Sequence, residues 1–277
     1  MADISDAMRK YLEQQASKDR PEQTPTTGEP ATDDDMKTLP PTAASKPPAA
    51  PSPKHYSERM VVHWDQGGNL AEEYRTLRSQ LLAACGDGRI CLAVASARPG
   101  EGKSVTAMNL AGVLAERRQR STVLVDGHLV SRALGRYLAA SKAPGLADVL
   151  SGAADLEACI QPTAYDNVSL LPAGGTGQAA QSLLEGPQLA ELVRQLQSKF
   201  DHVIIDTPAI YGTSGASGAA LLSAAAGRAI LVVRMCSTRR ESVDRSIRLL
   251  KAAGVDVAGV VLADRKFFIP SMLYRHL

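Results

Sequence analysis

One segment constrains this chain more than any other: Ala97-Arg98-Pro99-Gly100-Glu101-Gly102-Lys103-Ser104. It follows the compact apolar run Ile90 to Ala95, which reads as a buried strand, and it opens a helical pattern from about Lys103 to Arg118. Strand, glycine-rich loop and helix in that order form a cradle for phosphate. Gly100 and Gly102 let the backbone curl until its N–H groups converge on an anion. The helix N-terminus adds positive potential. Lys103 is then placed to bridge the β- and γ-phosphates of a nucleotide, and Ser104 to ligate Mg²⁺. The expected binding segment is Pro99, Gly100, Glu101, Gly102, Lys103, Ser104 and Val105. The first glycine of the general pattern is Ala97 here.

Further short apolar runs follow: Thr122 to Val125, Val168 to Leu171, His202 to Ile205, Ala229 to Val233 and Val257 to Leu262. Helical patterns separate them, for example Pro187 to Phe200 and Arg240 to Ala253. A helix striped by Leu70, Tyr74, Leu77 and Leu81 spans Asn69 to Cys85 before the first strand. Strands alternating with helices imply right-handed crossovers and a sheet covered on both sides. The expected fold class is α/β, a three-layer P-loop fold with a mostly parallel sheet and helices on both faces. Ligands in such sheets bind at the carboxyl ends of strands. Two runs deliver an acid there. His202-Val203-Ile204-Ile205 ends in Asp206, which is how a carboxylate is brought beside a metal, and Val123-Leu124-Val125 ends in Asp126. The expected metal-holding set is Ser104, Asp206 and Asp126.

The prolines are unevenly placed. Of 16, nine fall in the first sixty residues. Arg20 to Lys54 is rich in Pro, Thr, Ala and Asp and nearly free of large apolar side chains, so it cannot bury enough surface to offset its ordering entropy. Residues 1–58 are expected to be a disordered leader. Its start, Ala2 to Lys18, has Ile4, Met8, Tyr11 and Leu12 at the spacing of a short amphipathic helix. Residues 59–277 are expected to form one globular domain.

Several classes drop out. With 31 Lys and Arg against 29 Asp and Glu, the net charge of +2 argues against a nucleic-acid binder. No stretch reaches the ~20 apolar residues of a membrane span. The best, Ala216 to Val233, contains Arg228. The first twenty residues lack the apolar run of a signal peptide. Cys85, Cys91, Cys159 and Cys236 show no metal spacing and read as reduced thiols of a cytosolic protein.

The loop Ala97 to Ser104, the strand Val203-Ile204-Ile205-Asp206-Thr207-Pro208 and their spacing resemble the MinD/ParA class of P-loop ATPases. Within that class, Pro99-Gly100-Glu101-Gly102-Lys103-Ser104 and Glu72-x-x-Arg75-x-x-Arg78 are similar to the bacterial tyrosine autokinases of capsule and exopolysaccharide synthesis. So are Gly145-Leu146-Ala147-Asp148-Val149-Leu150-Ser151-Gly152, Leu171-Pro172-Ala173-Gly174, Val232-Val233-Arg234 with Thr238-Arg239-Arg240-Glu241, and Gly259-Val260-Val261-Leu262. The likeness runs from about Val61 onward and leaves out the leader. It implies ATP and Mg²⁺ as cofactors and γ-phosphate transfer to tyrosine. The residues that would carry it are Lys103, Asp126, Asp206 and, in place of a second acid, His128. It implies homo-oligomer contacts through Glu72, Arg75 and Arg78. It also implies control of polysaccharide chain length with a membrane-embedded chain-length determinant, a polysaccharide co-polymerase whose cytosolic segment activates the kinase. The expected location is cytoplasmic, peripheral to the inner face of the cell membrane through that partner.

The sequence departs from the family at several places. The second acidic motif, usually Asp-x-Asp, reads Asp126-Gly127-His128. An imidazole with a pKa near ~6.5 can accept a proton, but it is a poor ligand for Mg²⁺; the alternative is an impaired transfer site. The family's later Asp is Gly215 or Gly218, and its adenine-reading Asn is Ala263, followed by Asp264. The tail has Phe267, Phe268 and a single Tyr274 in place of a tyrosine cluster. Tyr274 is the candidate phospho-acceptor; alternatively the tail packs or docks through its aromatics with Arg265, Lys266 and Arg275. Arg98 stands where the class carries a signature lysine that reaches a neighbour's phosphate, a task within reach of its fork of donors, or it is a solvated loop residue. Three functions follow: a tyrosine autokinase-like ATPase, a catalytically impaired ATP-binding switch of the same machinery, and a MinD/ParA-like positioning ATPase.

Overall fold

The apolar runs become the strands of one sheet, and the helical patterns cover it. The computed structural model describes residues 52, 56–85, 88–140, 144–175, 178–212 and 215–264. The chain separates into two compact units, Met1–Ser45 and Lys46–Leu277, and every described residue belongs to the second. The helix expected over Ala2 to Lys18, the proline-rich run apart from Ser52, and the tail with Phe267, Phe268 and Tyr274 lie outside the described residues.

In chain order the elements are α1 (Val61–Trp64), α2 (Asn69–Cys85), β1 (Ile90–Ser96), α3 (Lys103–Ala115), β2 (Thr122–Asp126), α4 (Ala133–Tyr137), α5 (Leu146–Leu150) and α6 (Leu156–Cys159). There follow β3 (Gln161–Pro162), β4 (Val168–Leu171), a 3₁₀ segment (Gln178–Glu185), α7 (Gln188–Lys199), β5 (His202–Asp206), α8 (Gly215–Ala226), β6 (Arg228–Arg234), α9 (Arg240–Ala252) and β7 (Asp256–Ala263). The sheet order is β3-β4-β2-β5-β1-β6-β7. All neighbours are parallel except the edge pair β3–β4. β1 lies between β5 and β6, so the chain leaves it on one side toward β2 and returns on the other at β6. That reversal puts a crevice at the carboxyl end of β1, where the glycine-rich loop begins.

The two faces of β1 feed two cores, as the period of a strand requires. Ala93 and Ala95 join Leu146, Leu192, Leu222 and Leu250 on one side. Leu92 and Val94 join Val62, Leu81, Leu110 and Leu114 on the other. α7 shows how a helix earns its place: Leu189, Leu192, Val193 and Leu196 recur at helical spacing, and all four are buried.

The sequence and the structure part at two helices. α3 stops at Ala115 and not at Arg118, because Glu116 to Arg120 is a polar run with no apolar side to bury. The stretch Ala216 to Val233, read above only as an apolar run, divides at Gly227 (φ 76°) into all but the first residue of α8 and all but the last residue of β6. α8 escaped the periodicity test because Ala and Gly dominate it all round. A helix buried on most sides has no polar face to reveal it.

Candidate active site

The glycine-rich loop takes the shape its glycines permit. Gly100 (φ 81°) and Gly102 (φ 100°) both adopt the left-handed backbone that a side chain disfavours, and Gly102 is the last residue before α3. Lys103 opens the helix and is buried. Its Nζ donates to Ser96 Oγ (3.0 Å), and Ser96 Oγ donates to the Arg98 carbonyl (2.8 Å). Burial lowers the Lys103 pKa, against the pull of Asp206 and Glu101. The Glu101 carboxylate is buried too. It accepts from the Arg98 N–H (2.9 Å) and from the Thr238 hydroxyl.

Three strands bring the acids to this loop. Asp206 ends β5 in register with Val94 of β1 on one side and Asp126 of β2 on the other. Both aspartates are fully buried, but their surroundings differ. Asp126 Oδ1 accepts from the His128 N–H (3.2 Å), and Oδ2 accepts from the Leu134 N–H (3.1 Å) at the start of α4. Neither oxygen of Asp206 has a hydrogen-bond partner. Burial raises both carboxyl pKa values; the Asp126 charge pushes Asp206 further up, while Ser104 and Lys103 pull it down. Two buried, orphaned carboxylate oxygens suit a hard cation. Among the described residues no three His, Cys, Asp or Glu side chains group into a metal cage. Mg²⁺ does not need one: it takes one or two carboxylates and completes its shell with phosphates and water. The residues therefore fit a magnesium nucleotide, which Asp206 and Ser104 would contact, with Asp126 beside them.

Between the acids, Gly127 is required by close approach. Its N–H donates to the Asp206 carbonyl (2.9 Å), and a Cβ there would lie 2.5 Å from that same oxygen and 2.6 Å from Leu222 Cδ1. His128 is half-buried, and its Nδ1 accepts from the Ser131 N–H (3.3 Å). Burial and the Lys103 charge lower its pKa. Because Nδ1 accepts, the ring presents its N–H at Nε2, a donor where the second carboxylate of the expected motif would stand.

The other expected residues fall in three places. Ala263 flanks the loop, for a Cβ on Gly102 would come within 3.5 Å of its own Cβ. Gly218 packs on Pro208 and Leu184 in the first turns of α8, which Gly215 opens, so no carboxylate enters from there. Arg98 is exposed, at the rim. Glu72, Arg75 and Arg78 lie on α2, away from the loop. Arg75 bonds Glu72 (2.5 Å), Glu116 (2.8 Å) and the Gln66 carbonyl (2.8 Å); Arg78 bonds Glu116 (2.7 Å) and the Val113 carbonyl (2.5 Å). Two other stretches that carried the resemblance meet as one joint. The Leu146 and Ala147 N–H groups donate to Pro172 and Ala173, and Asp148 accepts from Gly145 and Gly175. A groove of about 420 Å³ at the far end of α3, lined by Glu116, Arg118 and Tyr165 among others, is remote from the loop.

Two residues that support the loop were not among the expected site residues. Ser96 is polar at the end of an apolar strand, which is a readable sign. Thr238 is far along the chain, and its one sign is that it opens Thr238-Arg239-Arg240-Glu241, a stretch that carried the resemblance.

Comparison with known proteins agrees with this geometry. A family model described as ParA, NUBPL iron-transfer P-loop NTPase, matches residues 89–272. The tyrosine-protein kinase CpsD of Streptococcus pneumoniae is 31% identical over 193 residues, which are 69% of this chain and 83% of CpsD. Against other, longer curated relatives the chain spans about a quarter of their length, 25–29%. Among solved structures, the BceF tyrosine kinase domain superposes with a TM-score of 0.64 at 26% identity, covering 73% of this chain and 81% of that domain. The septum site-determining protein MinD of Pyrococcus horikoshii, complexed with Mg-ADP, gives a TM-score of 0.53 at 27% identity over 68% of this chain and 76% of its own. The chain belongs to the ParA/MinD-type P-loop NTPases and, within them, to the family of the bacterial tyrosine-protein kinases.

Proposed function

We propose that the chain binds ATP with Mg²⁺ and acts as a tyrosine autokinase-like ATPase of polysaccharide chain-length control, at the inner face of the membrane. The observation that carries this is Asp206, whose buried oxygens lack hydrogen-bond partners and feel Ser104 and Lys103 beside them. The loop N–H groups and Lys103 hold the phosphates, Ser104 and Asp206 the metal, and burial keeps water from competing. When bound, the cation neutralises charge on the transferring phosphate. Positioning and charge do most of the work in such transfers. Among the described residues no helix is long and apolar enough to cross a membrane, so the reading places the chain there through a membrane-embedded chain-length determinant. Glu72, Arg75 and Arg78 would meet a second copy, and Tyr274 is the candidate acceptor. ATP-dependent phosphotyrosine, measured with and without the partner's cytosolic segment, tests the kinase. The signal is expected to vanish in Lys103→Met, and its absence even with the segment rejects phosphotransfer.

A second reading is favoured by Asp126 and His128. Both Asp126 oxygens are spent on backbone N–H groups, and His128 offers a donor where a base is needed. The chain would then be an ATP-binding switch on the same machinery. This reading expects nucleotide affinity without phosphotyrosine, and a gain of transfer in His128→Asp.

A further inference from the structure

A glutamate in a loop built to hold polyphosphate is an electrostatic liability. Its charge must be answered by donors, or it repels the ligand. Here two segments answer it. The Arg98 N–H, from the loop itself, reaches Oε2 at 2.9 Å, and the Thr238 hydroxyl, between β6 and α9, reaches Oε1. The side chain is buried at 4% exposure, so water contributes little. The circuit continues inside the loop. Arg98, held at its N–H by Glu101, is held at its carbonyl by Ser96, which in turn accepts from Lys103. We propose that Glu101 is a positioning residue that sets the phosphate loop in its binding shape, and that Thr238 is the anchor tying that shape to the β6–α9 connection. This rests on the nucleotide-site reading and adds a device to it. Glu101 then acts through backbone and hydroxyl, not by touching nucleotide.

The chemistry of the two links fixes the test. Glutamine keeps both: its oxygen accepts from Arg98 and its amide donates to Thr238, whose hydroxyl can turn. Alanine keeps neither. Serine at 238 keeps the anchor, and valine loses it. In the full chain without nucleotide, hydrogen exchange at the Arg98 amide is measured in the wild type, Thr238→Ser, Thr238→Val, Glu101→Gln and Glu101→Ala. A fluorescent ATP analogue with Mg²⁺ then gives affinities. Thr238→Val and Glu101→Ala are expected to speed the exchange and to weaken affinity about tenfold. Thr238→Ser should stay close to wild type in both, and Glu101→Gln should keep the slow exchange and bind more tightly than Glu101→Ala. The proposal is overturned if the Arg98 amide is unprotected in the wild type, which needs no variant to fold. It is overturned equally if Thr238→Val leaves exchange unchanged, or if Glu101→Gln loses as much affinity as Glu101→Ala. Failure of the wild type to bind the analogue counts against the nucleotide site, while the exchange data still decide the clamp.

Discussion

Asp126 and Asp206 stand side by side in register on adjacent parallel strands, yet only Asp126 has its carboxylate oxygens hydrogen-bonded within the chain. Two acids of the same type, at the same strand edge and equally buried, therefore carry different burdens. Asp126 holds the start of α4 in place; Asp206 keeps both of its oxygens unpaired.

Asp206→Asn should separate function from stability. Burial raises the pKa of this carboxyl, so its ionised form costs stability, and the cost grows as pH rises. Removing the charge is expected to raise the melting temperature, more at pH 8 than at pH 5. Mg²⁺-dependent nucleotide affinity should fall by at least about tenfold, since a charged contact to the cation is lost. Thermal melts at the two pH values, with and without Mg-ATP, check both halves.

Asp126→Ala should behave in the opposite way. It leaves the buried N–H groups of His128 and Leu134 without acceptors, at a cost of about 1–3 kcal/mol. Asp126→Asn keeps one acceptor oxygen and is expected to cost less. Urea denaturation of the two variants, compared with wild type, measures the difference.

Gly127→Ala is predicted to destabilise by about 1–3 kcal/mol. The added methyl would meet the Asp206 carbonyl at 2.5 Å and Leu222 at 2.6 Å, so β2 and β5 must part or α8 must shift. Pairing it with Leu222→Ala relieves only the second clash. Incomplete recovery in the double variant is the expected outcome of chemical denaturation.

Acid sensitivity should centre on Asp201. The hydrogen bond from the Ser121 N–H, and after it that from Arg120, hold its carboxyl at about 2, below the ~3.9 of an unfolded aspartate. Between about pH 4 and pH 2 the unfolded chain takes up a proton that the folded chain refuses, so stability falls as pH falls. Asp201→Asn should lower stability at pH 7 and flatten that slope. Denaturation curves at pH 2.5, 4 and 7 would show it; an unchanged slope would set Asp201 aside.

Much of the site is legible along the chain because its parts are local. The order of strand, glycine loop and helix places Gly100, Gly102, Lys103 and Ser104 without reference to anything distant. The apolar strands ending in Asp126 and Asp206 announce two acids at one sheet edge, and the parallel register bears this out. Asn69–Cys85 is legible because Tyr74, Leu77 and Leu81 recur at helical spacing and pack on the core, although Leu70, the first residue of the expected stripe, is exposed. α8 is not read, because burial on most sides erases the stripe.

The sequence by itself determined the glycine-rich loop, the alternation of strands and helices, and which residue types gather at the carboxyl edge of the sheet, since each rests on neighbours within a few positions. The tertiary structure alone decided how those residues divide their work. Asp126 is spent on α4 because the Leu134 N–H folds back onto it, and the equally buried oxygens of Asp206 accept no hydrogen bond because no such N–H reaches them. His128 is a donor because the Ser131 N–H reaches its ring, and the Glu101 carboxylate accepts from Thr238, far away in the chain. Hydrogen-bond partners at long separation are fixed by packing, and packing is not written in any local pattern.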